Sequence, residues 1–247
     1  MNRIIIKPMG GLCNRLRFIF SFIKKLIDEK KLEETELYII WRKNDACNGY
    51  LKNYIKPIKN VYFATKTNYK IDFSSSGIVD GYHKINFMKN FPLYLNDITY
   101  QKIRKFLKKK LDDKYISLHI RKTDLEKSLI KNKTKNITIN EEYIKFIEEH
   151  KGKKIFLATD NKDTQNRIKK LYKNRLFVYE DINNSNDLRQ TNLEHSIIDL
   201  FLCILSYSFK GTYRSSFTWM ILLIRELLDS KRSAISKLKK FKKSNDK

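Results

Sequence analysis

Residues 3–8, Arg-Ile-Ile-Ile-Lys-Pro, run directly into Met9-Gly10-Gly11-Leu12-Cys13-Asn14 and then into a helical pattern over 15–31. This order constrains the fold more than any other feature of the chain. The first stretch is β-prone, and the glycines allow a tight turn. Leu16, Ile19, Phe20, Ile23 and Ile27 then recur at helical spacing, with Lys24, Lys25, Asp28 and Glu29 opposite. Asn14 is placed to cap that helix. Glu36–Trp41 reads as the next strand. Strand, glycine turn, helix and strand make a βαβ opening, which implies a parallel sheet.

The second half repeats the alternation. A strand over 115–119 leads into His119-Ile120-Arg121-Lys122-Thr123-Asp124, followed by a polar stretch over 126–139 expected to be a mobile loop. Asn140 is expected to cap a helix over 141–150. Strand 154–158 ends in Thr159-Asp160-Asn161, and helix 162–173 and strand 175–179 follow. The helix over 193–207 is apolar nearly all round and so is buried. A short strand over 209–212 meets Arg214-Ser215-Ser216, which opens a helix from Phe217 to about 228. Residues 42–100 are rich in Asn, Lys and aromatics and read as short strands and loops, with a polar turn over 74–77. Residues 99–111 read as a basic helix. The expected organisation is α/β: a Rossmann-like domain over 1–110, a second over 111–230 with a cleft between the two, and a frayed basic tail over 231–247.

The 41% hydrophobic content suffices for a core, and no run of about 18 apolar residues reads as a membrane span. The apolar run at the N-terminus is too short for a signal peptide. Cys13, Cys47 and Cys203 have neither metal nor disulfide spacing, which suits a reducing compartment, so the expected location is cytoplasmic. A net charge of +25 invites a nucleic-acid partner. Against it, only 12 of the 52 basic residues are Arg, the better side chain for planar phosphate recognition, and the lysines are spread over the whole chain. The charge still favours anionic substrates.

Two turns stand at expected helix starts, Gly10-Gly11-Leu12-Cys13-Asn14 and Arg214-Ser215-Ser216. A helix start presents backbone N–H groups and a partial positive charge, and so binds phosphate. The competing reading is plain N-capping for the serines and a tight βα turn for the glycines. On a strand, His119 and Arg121 share a face, and ligands of open α/β sheets sit beyond the strands' carboxyl ends. An Arg there suits phosphate oxygens; alone, it is as readily a surface partner of Asp124. Asp160, also at a strand end, can accept from sugar hydroxyls or from a base edge carrying N–H groups, or it can cap the next helix. Asp199 lies among apolar neighbours and needs a partner, for which Arg189, Arg214 or a ligand can serve. His195 reads as a core histidine. The chain contains no D-x-D, no G-x-x-x-x-G-K-[ST] and no G-x-S-x-G.

Taken in order, these motifs resemble the α1,6-fucosyltransferase-like and protein O-fucosyltransferase superfamily, including the rhizobial chitin-oligosaccharide fucosyltransferases. GGLCNRLRFIFSFI is similar to its first glycine-rich loop and helix, HIRKTD to its H-x-R-R-x-D motif, and FLATDN to its A-T-D strand end. LEHSIIDLFLCILSYSFKGTYRSSFTW is similar to its last motif. The resemblance covers residues 1–45 and about 115–228, leaving 46–110 unaccounted for.

The resemblance implies a GT-B fold, a GDP-sugar donor and inverting transfer without a metal ion. It places Arg121 on the donor diphosphate, His119 and Asp160 on the nucleotide, and Ser215 and Ser216 near the phosphates. Lys122 stands where the family has its second Arg. The catalytic glutamate of the α1,6 enzymes falls near Leu129, so Asp124 or Glu126 becomes the expected base. The animal enzymes' stem and extra modules have no counterpart in the sequence.

The reading is therefore a glycosyltransferase moving a sugar, fucose by resemblance, from a GDP-sugar to a glycan or protein hydroxyl. Its expected catalytic residues are Arg121, Asp124 and Glu126. Its expected donor contacts are Gly10, Gly11, Asn14, Arg15, His119, Lys122, Thr159, Asp160, Asp199, Ser215, Ser216 and Phe217. Neither a metal nor a cofactor beyond the donor is expected. The rivals are an inactive nucleotide-sugar binder and a basic nucleic-acid-binding protein.

Overall fold

The computed structural model describes residues 1–45, 47–78, 95–111, 113–121, 139–182, 191–226, 228 and 232–243. The chain divides into two units, Met1–Thr99 with Phe241–Lys247, and Tyr100–Lys240. The division falls between Thr99 and Tyr100, so most of the basic helix α2 (Asp97–Lys110) goes with the second unit rather than preceding a boundary near 110.

In the first unit, β1 (Asn2–Pro8) lies between β2 (Thr35–Ile40) and β4 (Phe73–Ser75), and β3 (Val61–Ala64) extends the sheet beyond β2. All pairings are parallel, with Ile5 opposite Tyr38 and Ile6 opposite Phe73. Of the polar stretch expected to be a turn over 74–77, Ser74 and Ser75 belong to strand β4, and the bend comes at 76–77, where Gly77 N–H bonds Ser75 Oγ at 3.0 Å. A three-residue edge strand is held by backbone pairing and needs little apolar signal.

Helix α1 spans Leu12–Asp28, starting and ending three residues before the expected 15–31. Its start follows from Gly10, at φ 79°, which turns the chain so that Leu12 and Cys13 are already buried. Its N-cap is Gly11, not Asn14. Its end has no glycine to mark it. Lys30 occupies the left-handed position at φ 55°, its N–H bonding Ile27 O, while Lys31 N–H reaches Leu26 O at 2.8 Å.

The second unit repeats the topology. Strands β5 (Ile116–Ile120), β6 (Ile155–Thr159), β7 (Leu176–Phe177) and β8 (Ser208–Gly211) form a parallel sheet in the order β7-β6-β5-β8. All five residues of β5 and all five of β6 are buried, as central parallel strands require. Ile116, Leu118, Ile120, Ile155 and Leu157 pack with Tyr143 and Ile147 of α3 (Ile139–Glu149) and with Ile168 of α4 (Lys162–Tyr172). Each such apolar side chain contributes about 1.5–3 kcal/mol. The opposite face of β5 and β6 carries Ser117, His119 and Phe156. It meets the apolar helix α5 (Leu193–Leu205), α6 (Ser216–Arg225) and Phe106 of α2.

The expected frayed tail is a helix, α7 (Ala234–Lys243), with Ala234, Lys237 and Leu238 buried. The lysines obscured an apolar spacing of Ala234, Ile235, Leu238 and Phe241. Lys237 Nζ donates to Ser206 O at 3.1 Å and Leu205 O at 3.4 Å, and Arg225 Nη1 donates to Cys203 O, Ile204 O and Ser206 O. Two cations therefore satisfy the last carbonyls of α5, where the helix dipole is negative.

Candidate functional site

In the second sheet the strand order reverses between β5 and β8, the switch point at which an open α/β sheet presents its ligand crevice. Arg121 follows β5 there. Beyond β8, Thr212-Tyr213-Arg214-Ser215 makes a turn into α6, with Ser215 N–H on Thr212 O at 3.3 Å and Arg214 at φ 59°. The two strand ends are tied together. Arg121 N–H donates to Thr212 Oγ1 at 2.9 Å, and Thr212 Oγ1 donates to His119 O at 3.0 Å. Tyr143 OH lies 3.1 Å from His119 O and 3.0 Å from Thr212 Oγ1. On the other side, Thr159 Oγ1 at the end of β6 donates to Ile120 O at 2.7 Å. Arg121 thus leaves a strand end fixed from both neighbouring strands.

His119 is 7% exposed, with Nδ1 2.8 Å from Thr218 Oγ1 and its ring 4.7 Å from that of Phe217. Burial, and secondarily the Arg121 charge, push its pKa down to about 3. His119 is therefore a neutral hydrogen-bonding group near pH 7, unsuited to proton shuttling. Helix α6 approaches this closely because residue 211 is glycine: a Cβ there would lie 2.4 Å from Thr218 Cγ2. Ser215 is buried, and its hydroxyl caps the Thr218 N–H. Half-buried Ser216 and Phe217 head the helix, ahead of its Trp219 N–H to Ser215 O bond. The cap of α4 is Asn161, whose Oδ1 accepts from Thr164 N–H at 2.8 Å, so half-buried Asp160 is not needed as a cap.

Asp199 is 4% exposed on α5. Its Oδ2 lies 3.3 Å from His195 Nε2, whereas Oδ1 is buried without a hydrogen-bond partner among the described residues. Burial raises its pKa, opposed by His195. The ring of Tyr179 stands edge-on to His195 at 5.7 Å.

The first sheet has the same strand order, and its first strand ends in the glycine turn. Gly11 caps α1 with no side-chain bond. The neighbouring arginines are turned to holding the loop. Arg15, 2% exposed, donates from Nε to Gly10 O at 2.8 Å and from Nη1 to Arg42 O at 2.6 Å, and lies over the Trp41 ring at 4.7 Å. Arg17 Nη2 donates to Asn14 Oδ1 at 2.7 Å. These contacts make Arg15 a brace for the turn, and Asn14 a partner of Arg17.

The structure thus gathers His119, Arg121, Thr159, Ser215, Ser216 and Phe217 at one sheet edge, with Asp160 beside Thr159. Gly10, Gly11, Asn14 and Arg15 form a separate cluster in the other unit. Lys122, Asp124 and Glu126 lie outside the described residues, as does the loop expected over 126–139 apart from Ile139, which begins α3. Sequence reasoning missed Thr212, Tyr143, Gly211 and Thr218. Thr212 could have been noticed, since it closes the strand before the Ser-Ser turn. Tyr143 looks like any aromatic on a helix's apolar face. Among the described residues, no group of three or more His, Cys, Asp and Glu is arranged to hold a metal, and no helix is long and apolar enough to cross a membrane.

A family model for GDP-fucose protein O-fucosyltransferase matches residues 47–228, well over half of the chain. Among solved structures, the fold is similar to fucosyltransferase NodZ from Bradyrhizobium, with 12% identity and a TM-score of 0.59 over 91% of this chain and 94% of that one. NodZ α-1,6-fucosyltransferase soaked with GDP-fucose matches with 12% identity and a TM-score of 0.58 over 91% and 93%. POFUT1 in complex with GDP matches with 11% identity and a TM-score of 0.54 over 91% and 94%. At such identities the likeness establishes the fold, α/β of the GT-B class with two Rossmann-like units. No curated protein matches the sequence.

Proposed function

The chain belongs to the GDP-fucose protein O-fucosyltransferase family, and from this premise we propose that it moves fucose from GDP-fucose to a glycan or protein hydroxyl, with inversion and without a metal ion. The observation that supports the reading is the bond from the Arg121 backbone N–H to Thr212 at the β5/β8 switch point, which ties Arg121 to the turn leading into α6. A leaving diphosphate needs that pairing. The planar fork of Arg121 can hold two oxygens, and the first turn of α6 offers backbone N–H groups and the positive end of its dipole. Both are fixed before reaction, so they stabilise charge as it develops.

In this scheme the acceptor oxygen attacks the anomeric carbon from the face opposite the diphosphate. The bond to the diphosphate breaks, and its electron pair stays on the leaving group. The acceptor proton passes to a carboxylate, assigned to Asp124 or Glu126, which follow Arg121 by three and five residues. Lys122 adds a cation beside the phosphates. Asp160 takes ribose hydroxyls. The Oδ1 of Asp199, buried without a partner among the described residues, suits the N–H edge of guanine, because a buried carboxylate oxygen is costly until it accepts a hydrogen bond.

The test is incubation with GDP-fucose in the presence of EDTA or of magnesium, following fucose release and transfer by NMR of the anomeric proton. Equal rates in both, with an α-linked primary product from the β-linked donor, GDP-stabilised folding and no effect of UDP, are expected. Turnover only with magnesium, or stabilisation by UDP and not GDP, overturns the reading. Stabilisation by GDP with neither hydrolysis nor transfer would favour the inactive binder.

A further inference from the structure

We propose that His195 is a positioning residue for the donor base: it holds one oxygen of Asp199 as a carboxylate so that the other meets the N–H edge of guanine. This rests on the assignment of Asp199 to the base in the preceding section. The two side chains lie one helical turn apart on α5 and are both buried, with His195 6% and Asp199 4% exposed. Nε2 of His195 is 3.3 Å from Oδ2 of Asp199, which leaves Oδ1 as the oxygen without a partner among the described residues. A structural ion pair would leave no reason for one oxygen to stand open in an apolar helix. With one oxygen clamped, the oxygen left without a partner still has two lone pairs and can accept from both adjacent N–H donors of a base.

The chemistry discriminates between bases. Guanine presents N1–H and a 2-amino group, both donors, along one edge. Adenine presents an acceptor at N1. An ionised Asp199 therefore favours guanine, and a protonated one loses that preference. Burial alone raises the Asp199 pKa, and both the charge and the hydrogen bond of His195 oppose this. For His195, burial disfavours the imidazolium, but Asp199 first and Glu180 after it outweigh burial and raise its pKa. Among the described residues, the other groups facing the pair are Glu180, the edge of the Tyr179 ring, Glu194, and the Cys203 thiol one turn further along α5. Glu194 is already engaged by Lys102 at 2.7 Å and by Tyr179 OH at 3.4 Å. Among the described residues, His195 is the cation paired with Asp199, and Arg189 lies outside them.

The test is calorimetric measurement of GDP and ADP affinity between pH 5.5 and 8.5 for the full chain and for His195→Phe, His195→Gln and Asp199→Ala, with melting curves at each pH. In the wild type, GDP affinity should fall towards acid pH as Asp199 takes a proton. In His195→Phe that fall should move to higher pH by about one unit or more, which is about tenfold weaker binding at a fixed pH on the acid side. His195→Gln keeps a hydrogen-bond donor but no charge and should move it the same way by less, so the inference is read even if the Phe variant does not fold. ADP affinity should not follow this profile. Superimposable GDP profiles in wild type and His195→Gln overturn the role of His195. If Asp199→Ala binds GDP as well as wild type does, the base assignment itself fails. A fall in Asp199→Ala affinity with unchanged His195 profiles would reject only the present inference.

Discussion

The two units share one topology and use its carboxyl edge differently. In both sheets the first strand lies inside and the order is third, second, first, fourth, so each has a switch point after its first strand. In the first unit β1 passes through Gly10, at φ 79°, into a helix whose cap makes no side-chain bond. Its buried arginine points back to brace the turn, through Gly10 O and Arg42 O. In the second unit Arg121 leaves the strand end half-buried, and hydroxyls of Thr212, Tyr143 and Thr159 fix the strand instead. One edge therefore offers backbone held by an arginine, and the other an arginine held by backbone and hydroxyls. The same sheet can host a passive contact or an electrostatic one, depending on which group is used as the brace.

The sharpest way to break this contrast is to weaken each arginine in turn. Arg121→Lys should lower turnover by about 10²–10³ with the melting temperature retained, because Lys cannot bind two oxygens with a planar fork. Arg15→Lys should show the reverse, a lower melting temperature with a smaller change in turnover. Similar turnover losses in both would erase the distinction.

The next largest effect should come from glycines. Gly211→Ala sets a Cβ 2.4 Å from Thr218 Cγ2 and 2.7 Å from Phe209 Cζ, so α6 must retreat. Overpacking of this kind costs about 1–3 kcal/mol, and turnover should fall with it, since His119 and the helix start move apart. Gly10→Ala meets Asn14 Nδ2 at 3.0 Å and a left-handed φ, a cost of about 1–2 kcal/mol. Greater stability loss at Gly10, by chemical denaturation, would show the first turn to be the more tightly built.

A smaller effect separates the units by pH. The His119 pKa lies at about 3 in the folded protein, below the ordinary histidine value. Between that value and about 6.5 the unfolded chain binds a proton that the folded chain does not. Stability from this group is full above about pH 6.5 and falls as pH is lowered, by about 2 kcal/mol at pH 5. The raised Asp199 pKa acts in the opposite sense, so the quantity to measure is the difference between wild type and His119→Gln. That difference should narrow on acidification, and a constant difference between pH 7 and 5 would contradict a buried neutral imidazole. The smallest change is Tyr143→Phe. It removes one hydroxyl from the strand tie while Thr212 still serves His119 O, and should cost about 1 kcal/mol with a modest loss of turnover. A loss as large as that of Arg121→Lys would move Tyr143 into the chemistry.

Local pattern alone determined most of the elements. The buried runs of β5 and β6, the amphipathic α1 and the apolar α5 each carry a period that one kind of structure satisfies. The alternation of the strand placed Ser117 and His119 on one face, whereas the strand itself ends at Ile120, before Arg121. Where the ordinary marker residue was replaced, the pattern misled: Lys30 sits where a helix end favours glycine, β4 is made of Phe and serines, and lysines hide the apolar side of α7. Only the tertiary structure decided which polar side chains face a ligand and which hold the fold. Arg15 and Arg121 each stand close to a strand end in the sequence. Burial against Trp41 and two carbonyl oxygens makes one a brace, whereas Thr212 fixes the backbone of the other, whose side chain is assigned to phosphate only in the proposed function. The role of a charged side chain depends on the partners that long-range packing brings within about 3 Å, and local sequence does not specify those partners.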